Sequence, residues 1–249
     1  LNFLPNYKGQ KHQKFSGLKN IPLSGGVFFT FSSIILFYSN NYIFCLFLLS
    51  IFGIGFISDI NFLSSPKLRL LIQSVLIIFF VYLLDIKIHH TKFILLDNLL
   101  ENIYFKYFFS VFCLLILING SNFIDGLNGL MLGYFSIIVL IIFNLDFYKY
   151  LEVEKNLINN FFIILVYLFI LNINNKLFMG DSGSYVLGLI CGYFLIKIYE
   201  VNQEISPYFI VLLLWYPCFE NLFSIIRKFS LKRSPINADN NHFHQLIFF

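Results

Sequence analysis

Runs of uncharged apolar residues long enough to cross a bilayer constrain this chain more than any other feature. A hydrocarbon core takes about 20 residues of helix, with a range of roughly 17–25. Eight stretches approach or meet that length: Pro22–Tyr38, Tyr42–Ile57, Leu68–Leu84, Tyr104–Ile118, Leu130–Phe143, Leu157–Leu171, Tyr185–Ile198 and Pro207–Ile226. A ninth begins at Leu246. Backbone polar groups in lipid must be satisfied inside a helix or a closed barrel, and no alternating barrel pattern is present. The expected fold is therefore all-α, a polytopic membrane helical bundle of about eight to nine spans. It forms a single integral membrane domain over residues 1–249. Composition agrees, with 12% charged residues and 58% hydrophobic, where a soluble domain carries roughly 25% charged. The excess of Phe, Ile, Asn and Lys reads as compositional bias. The chain opens at Leu1 without a Met and stops inside an apolar run, Leu246–Phe249, so both ends are expected to be incomplete.

The connecting segments alternate between two sides. One side holds 1–21, 58–67, 119–129, 172–184 and 227–245. It carries Lys8, Lys11, Lys14, Lys19, Lys67, Lys176, Arg227, Lys228, Lys232 and Arg233, with Arg69 just inside the next helix. The other side holds 39–41, 85–103, 145–156 and 199–206, and carries Lys87, Lys92, Lys149 and Lys155, with Lys106 just inside the next helix. The positive-inside rule puts the first side in the cytoplasm. The net charge of +4 is accounted for by this asymmetry and does not call for nucleic acid. Cys45, Cys113, Cys191 and Cys218 each lie in an apolar run with no paired spacing, and read as packing residues. On the second side, Ile86–Ile94 alternates roughly like a strand and suggests a short hairpin, in which His89 and His90 face solvent.

The unusual polar sequence is all on the first side. Its first segment holds Lys8-Gly9-Gln10-Lys11-His12-Gln13-Lys14, which reads as a solvated basic tail or as an anion-binding loop. Asp59 ends an apolar helix, a poor place for a structural acid because that end of the dipole is negative. Ser65-Pro66 is a good helix start, with Lys67 and Arg69 close to the membrane surface. Asn119–Leu130 packs Asn122, Asp125 and Asn128 among three glycines, which let backbone approach a ligand closely. Lys176–Ser184 places Asp181 between glycines and hydroxyls, and ionisable groups in such settings are usually functional. The last segment runs from Arg233 to His242-Phe243-His244-Gln245. Carboxylates with no accompanying Cys suit a hard cation, Mg²⁺ or Mn²⁺, and Mg²⁺ takes one or two carboxylates plus substrate phosphates. Basic residues would bind the remaining phosphate charge. Read without reference to any relative, the residues point to metal-assisted phosphoryl chemistry with a lipidic partner.

These residues carry a resemblance. Ser58-Asp59 through Pro66-Lys67 resembles an Asp-Asp loop followed by Leu-Ser-Pro-Lys. Asn122-Phe123-Ile124-Asp125-Gly126-Leu127-Asn128-Gly129-Leu130 resembles an Asn-Phe-x-Asp-Gly-x-Asp-Gly-Leu signature. Phe178-Met179-Gly180-Asp181-Ser182-Gly183-Ser184 matches Phe-x-Gly-Asp-x-Gly-Ser, and Arg233 through His244 resembles a C-terminal His loop. In this order and on one face, they are similar to the polyprenyl-phosphate N-acetylhexosamine-1-phosphate transferases of glycosyltransferase family 4. The His loop is similar to that of the branch that starts O-antigen, teichoic-acid and related glycans.

The resemblance implies transfer of a HexNAc-1-phosphate from UDP-HexNAc to undecaprenyl phosphate, with release of UMP, at the cytoplasmic face of a bacterial inner membrane. It implies Mg²⁺ (or Mn²⁺) held by Asp181 and Asp125. Asp59, Asp125, Asp181, His242 and His244 would be catalytic, and His12, Lys67, Asn122, Asn128, Gly180 and Arg233 would bind substrate. A homodimer is compatible with it. Three departures stand out: Ser58 replaces the first acid of the pair, Asn128 the second Asp of the Gly-rich loop, and Gln245 a third His. They leave a second reading, a weakened or inactive relative that binds lipid phosphate or nucleotide sugar. A transporter is a third, disfavoured because no repeat is present and the acids sit at span ends.

Overall fold

Each apolar stretch forms helix in the structure, a computed structural model that describes residues 21–151, 153–202 and 205–230. In chain order the helices are α1 (Gly25–Phe37), α2 (Tyr42–Asp59), α3 (Pro66–Leu83), α4 (Ile94–Leu100), α5 (Ile103–Ile124), α6 (Leu130–Asn144), α7 (Lys155–Ile173), α8 (Gly180–Val201), α9 (Pro207–Leu213) and α10 (Trp215–Ser230), with a 3-10 turn at Phe147–Leu151. Polar residues set several starts. Asn41 caps α2 by accepting from the Phe44 N–H at 2.9 Å, and Asn102 caps α5 from the Tyr104 N–H at 2.9 Å. Ser65 and Pro66 open α3, as the sequence suggests.

Of the expected eight to nine spans, the described residues show five to six by length and composition: α2, α3, α5, α7 and α8 are long and apolar enough to cross a membrane, and α9 and α10 qualify together as a sixth but are bent by 78°. Helices α1 and α6 have 13 and 15 residues. Hydropathy counts apolar residues without seeing where the backbone is committed elsewhere. Ahead of α1, the chain instead exchanges bonds with the approach to α8: Phe178 N–H donates to Pro22 O at 3.1 Å, and Gly25 N–H to Phe178 O at 3.0 Å. A ninth stretch at Leu246 lies outside the described residues.

The expected hairpin at Ile86–Ile94 is corrected, for there is no strand among the described residues. This segment's backbone is met by side chains in place of a partner strand. Lys87 N–H donates to Glu200 Oε1 at 2.5 Å and Ile88 N–H to Ser110 Oγ at 3.0 Å. His89 is exposed as expected, while His90 pairs with Tyr199, whose hydroxyl also donates to His90 O at 2.9 Å.

Helix α8 is the axis of the bundle. Every residue from Ser182 through Gly192 is buried, and α1, α2 and α5 pack around it. Phe37, Phe44, Phe80, Tyr193 and Phe194 interlock at its far half, Phe44 stacking on Tyr193 at 4.6 Å. The phenylalanines are thus partly a packing device and not compositional bias alone. Helix α10 turns its polar residues inward: Glu220, Asn221, Ser224 and Lys228 are buried, while Trp215, Phe219, Phe223 and Ile226 are exposed. That inverted amphipathicity suits a lipid surround.

Candidate functional site

An acid closing an apolar helix opposes the helix dipole unless a second helix end meets it. Asp59 closes α2, and the second helix end is the start of α8. Asp59 Oδ1 accepts from the Asp181 N–H at 2.8 Å and Oδ2 from the Ser182 N–H at 3.1 Å. Asp125, which closes α5, lies close enough to the Gly180 N–H to feel its pull. Two successive orphan donors of α8 are therefore capped by the Asp59 carboxylate, and a second carboxylate from another helix stands beside the third. Gly55 lies one turn before Asp59 on the same helix face. A Cβ there would stand 2.4 Å from Ser182 Cα, so only a glycine lets α2 approach closely enough for Asp59 to reach. Gly180 has φ +70, and a Cβ on it would lie 2.7 Å from Asp59 Oδ2, so a side chain would be strained and would also strike the cap.

Asp181 is held by side chains. Its Oδ2 accepts from Arg69 Nη1 at 2.6 Å, from Ser58 Oγ at 2.7 Å and from Tyr185 OH at 3.4 Å. Arg69 Nη1 also donates to Ser58 Oγ at 2.6 Å, which closes a triangle. The Arg69 and Asp181 side chains are 25% and 23% exposed, enclosed enough for a charge-assisted bond to exceed a typical surface pair.

Around this centre, Ser184 Oγ donates to Asn122 Oδ1 at 3.1 Å. Buried Asn172 accepts from the Gly129 N–H at 2.6 Å and donates to Leu177 O at 3.0 Å, tying the start of α6 to the approach to α8. Asn128 is exposed and donates to Asn175 Oδ1 at 2.5 Å. Lys67 is exposed in the first turn of α3.

The structure thus brings together Asp59, Asp125, Asp181, Gly180 and Asn122, with Asn128 and Lys67 flanking. The expectations at His12, Arg233, His242 and His244, and the departure at Gln245, lie outside the described residues. Arg69, Ser58 and Tyr185 are the contacts that sequence reasoning underweighted. One signal for Arg69 was available: it sits in the first turn of α3 with no acid nearby in sequence, where the dipole disfavours a cation. The mirror-image misplacement of Asp59 flagged that residue.

Burial and the charges of Asp181 and Asp59 push the Asp125 carboxyl well above the usual carboxylate range, against the pull of the Gly180 N–H. Such a cluster favours a cation. The donors are carboxylate and hydroxyl oxygens, a hard-cation set. No three His, Cys, Asp or Glu side chains form a cage among the described residues, but Mg²⁺ bound through one or two carboxylates and substrate phosphates needs none. Asp125 and Asp181, the pair expected from the resemblance, fit such a site through lone pairs not spent on the bonds above, Asp181 through Oδ1.

Comparison with known proteins agrees with the resemblance. The family model described as Glycosyl transferase family 4 matches residues 41–199. A Thermotoga maritima protein named undecaprenyl-phosphate alpha-N-acetylglucosaminyl 1-phosphate transferase is 25% identical over 226 residues, covering 91% of this chain and 67% of its own length. A Staphylococcus carnosus phospho-N-acetylmuramoyl-pentapeptide-transferase is 33% identical over 229 residues, covering 81% of this chain and 68% of its own length. The Escherichia coli K12 protein that shares the Thermotoga protein's name is 28% identical over 153 residues, and the match spans 57% of this chain and 41% of that protein. The family match encloses Asp59, Asp125 and Asp181, the three acids gathered at the start of α8, and the chain belongs to glycosyl transferase family 4.

Proposed function

We propose that this chain transfers an N-acetylhexosamine 1-phosphate from a UDP-amino sugar to undecaprenyl (polyprenyl) phosphate, starting a lipid-linked cell-surface glycan. The observation that carries this is the convergence of Asp59, Asp125 and Asp181 at one end of a bundle of apolar helices. A phosphoryl site at a span end can be reached by a polar nucleotide sugar from water and by a phosphate on a lipid tail from the bilayer. In the reaction, an oxygen of the lipid phosphate attacks the β-phosphorus of the UDP-sugar. The bond from that phosphorus to the bridging oxygen breaks, and UMP leaves with the electron pair. The lipid phosphate has a second pKa near ~6 and is largely ionised at neutral pH, so the loss of an acid at Ser58 does not remove the nucleophile.

Asp181 and Asp125 would hold Mg²⁺ (or Mn²⁺), which supplies charge stabilisation on the transferring phosphoryl group. Asp59 fixes the start of α8 and thereby the position of Asp181. Asn122 would contact the nucleotide sugar. Lys67, Asn128 and Gly180, with His12, Arg233, His242 and His244 outside the described residues, complete the substrate-facing set. The basic asymmetry of the loops supports an active site facing the cytoplasm at the inner membrane. In this reading α1 and α6 also cross the bilayer, residues 1–249 form one transferase domain, and a homodimer is compatible with the apolar outer faces.

A weakened relative is the second reading, and one observation favours it: Asp181 is engaged by Arg69 and Ser58, the latter in place of an acid. Purified protein with Mg²⁺, undecaprenyl phosphate and a panel of labelled UDP-HexNAc sugars decides between them. Lipid-linked HexNAc diphosphate is expected with at least one sugar. If no sugar gives product while Ser58→Asp plus Asn128→Asp does, the weakened reading holds.

A further inference from the structure

We propose that Arg69, held in place by Ser58, is a built-in counter-cation on Asp181 that competes with a divalent metal for that carboxylate. The inference rests on the metal reading above, and the geometry is specific to this chain. Arg69 Nη1, Ser58 Oγ and Asp181 Oδ2 form a closed triangle with sides of 2.6, 2.6 and 2.7 Å. The serine hydroxyl has one proton, which it donates to Asp181 while accepting from Arg69. Asp181 Oδ2 accepts from both and also from Tyr185, leaving that oxygen no lone pair for a metal.

An acid at position 58 would draw Arg69 onto itself and leave Asp181 to the metal. With a serine there, the guanidinium is shared with Asp181 alone among the three acids for which bonds are described. With three donors already on Oδ2, a metal binding at that oxygen must displace one of them, and the Arg69 charge opposes a second cation anywhere on this carboxylate. The arginine therefore partly neutralises the acidic cluster in the metal-free protein and sets the metal affinity when exchange occurs. Arg69 is a positioning residue here, acting through Asp181.

Mn²⁺ binding measured by electron paramagnetic resonance tests this on the purified chain in lipid nanodiscs, with melting temperature as the check on folding. Arg69→Gln is expected to bind Mn²⁺ about tenfold more tightly than the wild type, the scale of one lost charge contact of this kind. Ser58→Ala keeps the net charge, so general electrostatics cannot act. It is expected to bind about threefold more tightly because the arginine loses its second anchor. Asp181→Asn is expected to bind less tightly than the wild type. Unchanged or weaker binding by a folded Ser58→Ala or Arg69→Gln protein would overturn the latch while leaving the metal reading intact. Absence of Mn²⁺ binding by every variant would overturn both. Product formation by the wild type with no tightening in either variant would overturn the latch alone.

Discussion

Asp59 uses its two carboxylate oxygens on two backbone N–H groups of another helix, so its first effect is on structure. Replacing a capping side chain with Ala costs about 0.5–2 kcal/mol, and a charged acceptor with two bonds belongs at the upper end. Asp59→Ala is expected to lower stability by about 2 kcal/mol and to reduce turnover further by releasing the start of α8. Thermal melting in detergent checks the first effect and product formation the second. Retained stability would mean that the cap is not formed. Asp97 makes a residue-scale claim at the other end of the bundle. Burial would raise its carboxyl, but the Thr91 N–H and hydroxyl, at 2.6 and 2.8 Å, hold it below its ordinary value. A lowered pKa gives stability that is present above the unfolded value of 3.8 and is lost as pH falls through the folded value. Asp97→Asn is therefore expected to lose about 1 kcal/mol at neutral pH and to flatten the decline in melting temperature below about pH 4.

Helix–helix approach decides whether the site can form at all. Gly55 brings α2 against the first turn of α8, where a Cβ would sit 2.4 Å from Ser182 Cα and 2.6 Å from Ser182 N. Backbone cannot move aside as a flexible side chain can, so Gly55→Ala should push the helices apart at a cost of about 1–3 kcal/mol. Because Asp59 lies on the same face one turn later, turnover should fall along with melting temperature, and a Gly55→Ala protein with full activity would contradict the packing. Element positions were largely legible in the sequence: all eight apolar stretches are helical, and Ser65-Pro66 opens α3 as its residue types imply. Lengths were less legible. The span expected over Tyr104–Ile118 ends at Asn119-Gly120, yet α5 continues to Ile124, with Asn119 donating to Gln73 and to Leu115 O inside the bundle. The turn signal is local, whereas one of these bonds is to Gln73 on the neighbouring helix α3. The bend of 78° between α9 and α10 does carry a local mark: Pro217 has no N–H to bond Leu213 O, the last carbonyl of α9, which accepts from Tyr134 OH at 2.7 Å.

Across the whole molecule, the bundle separates a polar, acidic end from an end closed by side-chain bonds to a strandless segment. The three acids could be assigned to one side by counting spans, because an odd or even number of crossings places every loop. What counting could not give is the division of labour among them. Asp59 caps α8, Asp125 stands beside Gly180, and Asp181 is held by Arg69 and Ser58, a pattern that depends on several helices meeting and not on any one motif. We propose that this acidic end performs metal-assisted transfer to a lipid phosphate. The most direct measurement is the rate of lipid-linked HexNAc diphosphate formation by purified wild type and Asp181→Asn, each with Mg²⁺ and with chelator. Product is expected from the wild type with Mg²⁺ only. A loss on the order of a hundredfold or more is expected in a folded Asp181→Asn protein, the scale for removing an electrostatic contact to the transition state. Metal-independent product formation, or Asp181→Asn turnover close to wild type, would contradict it.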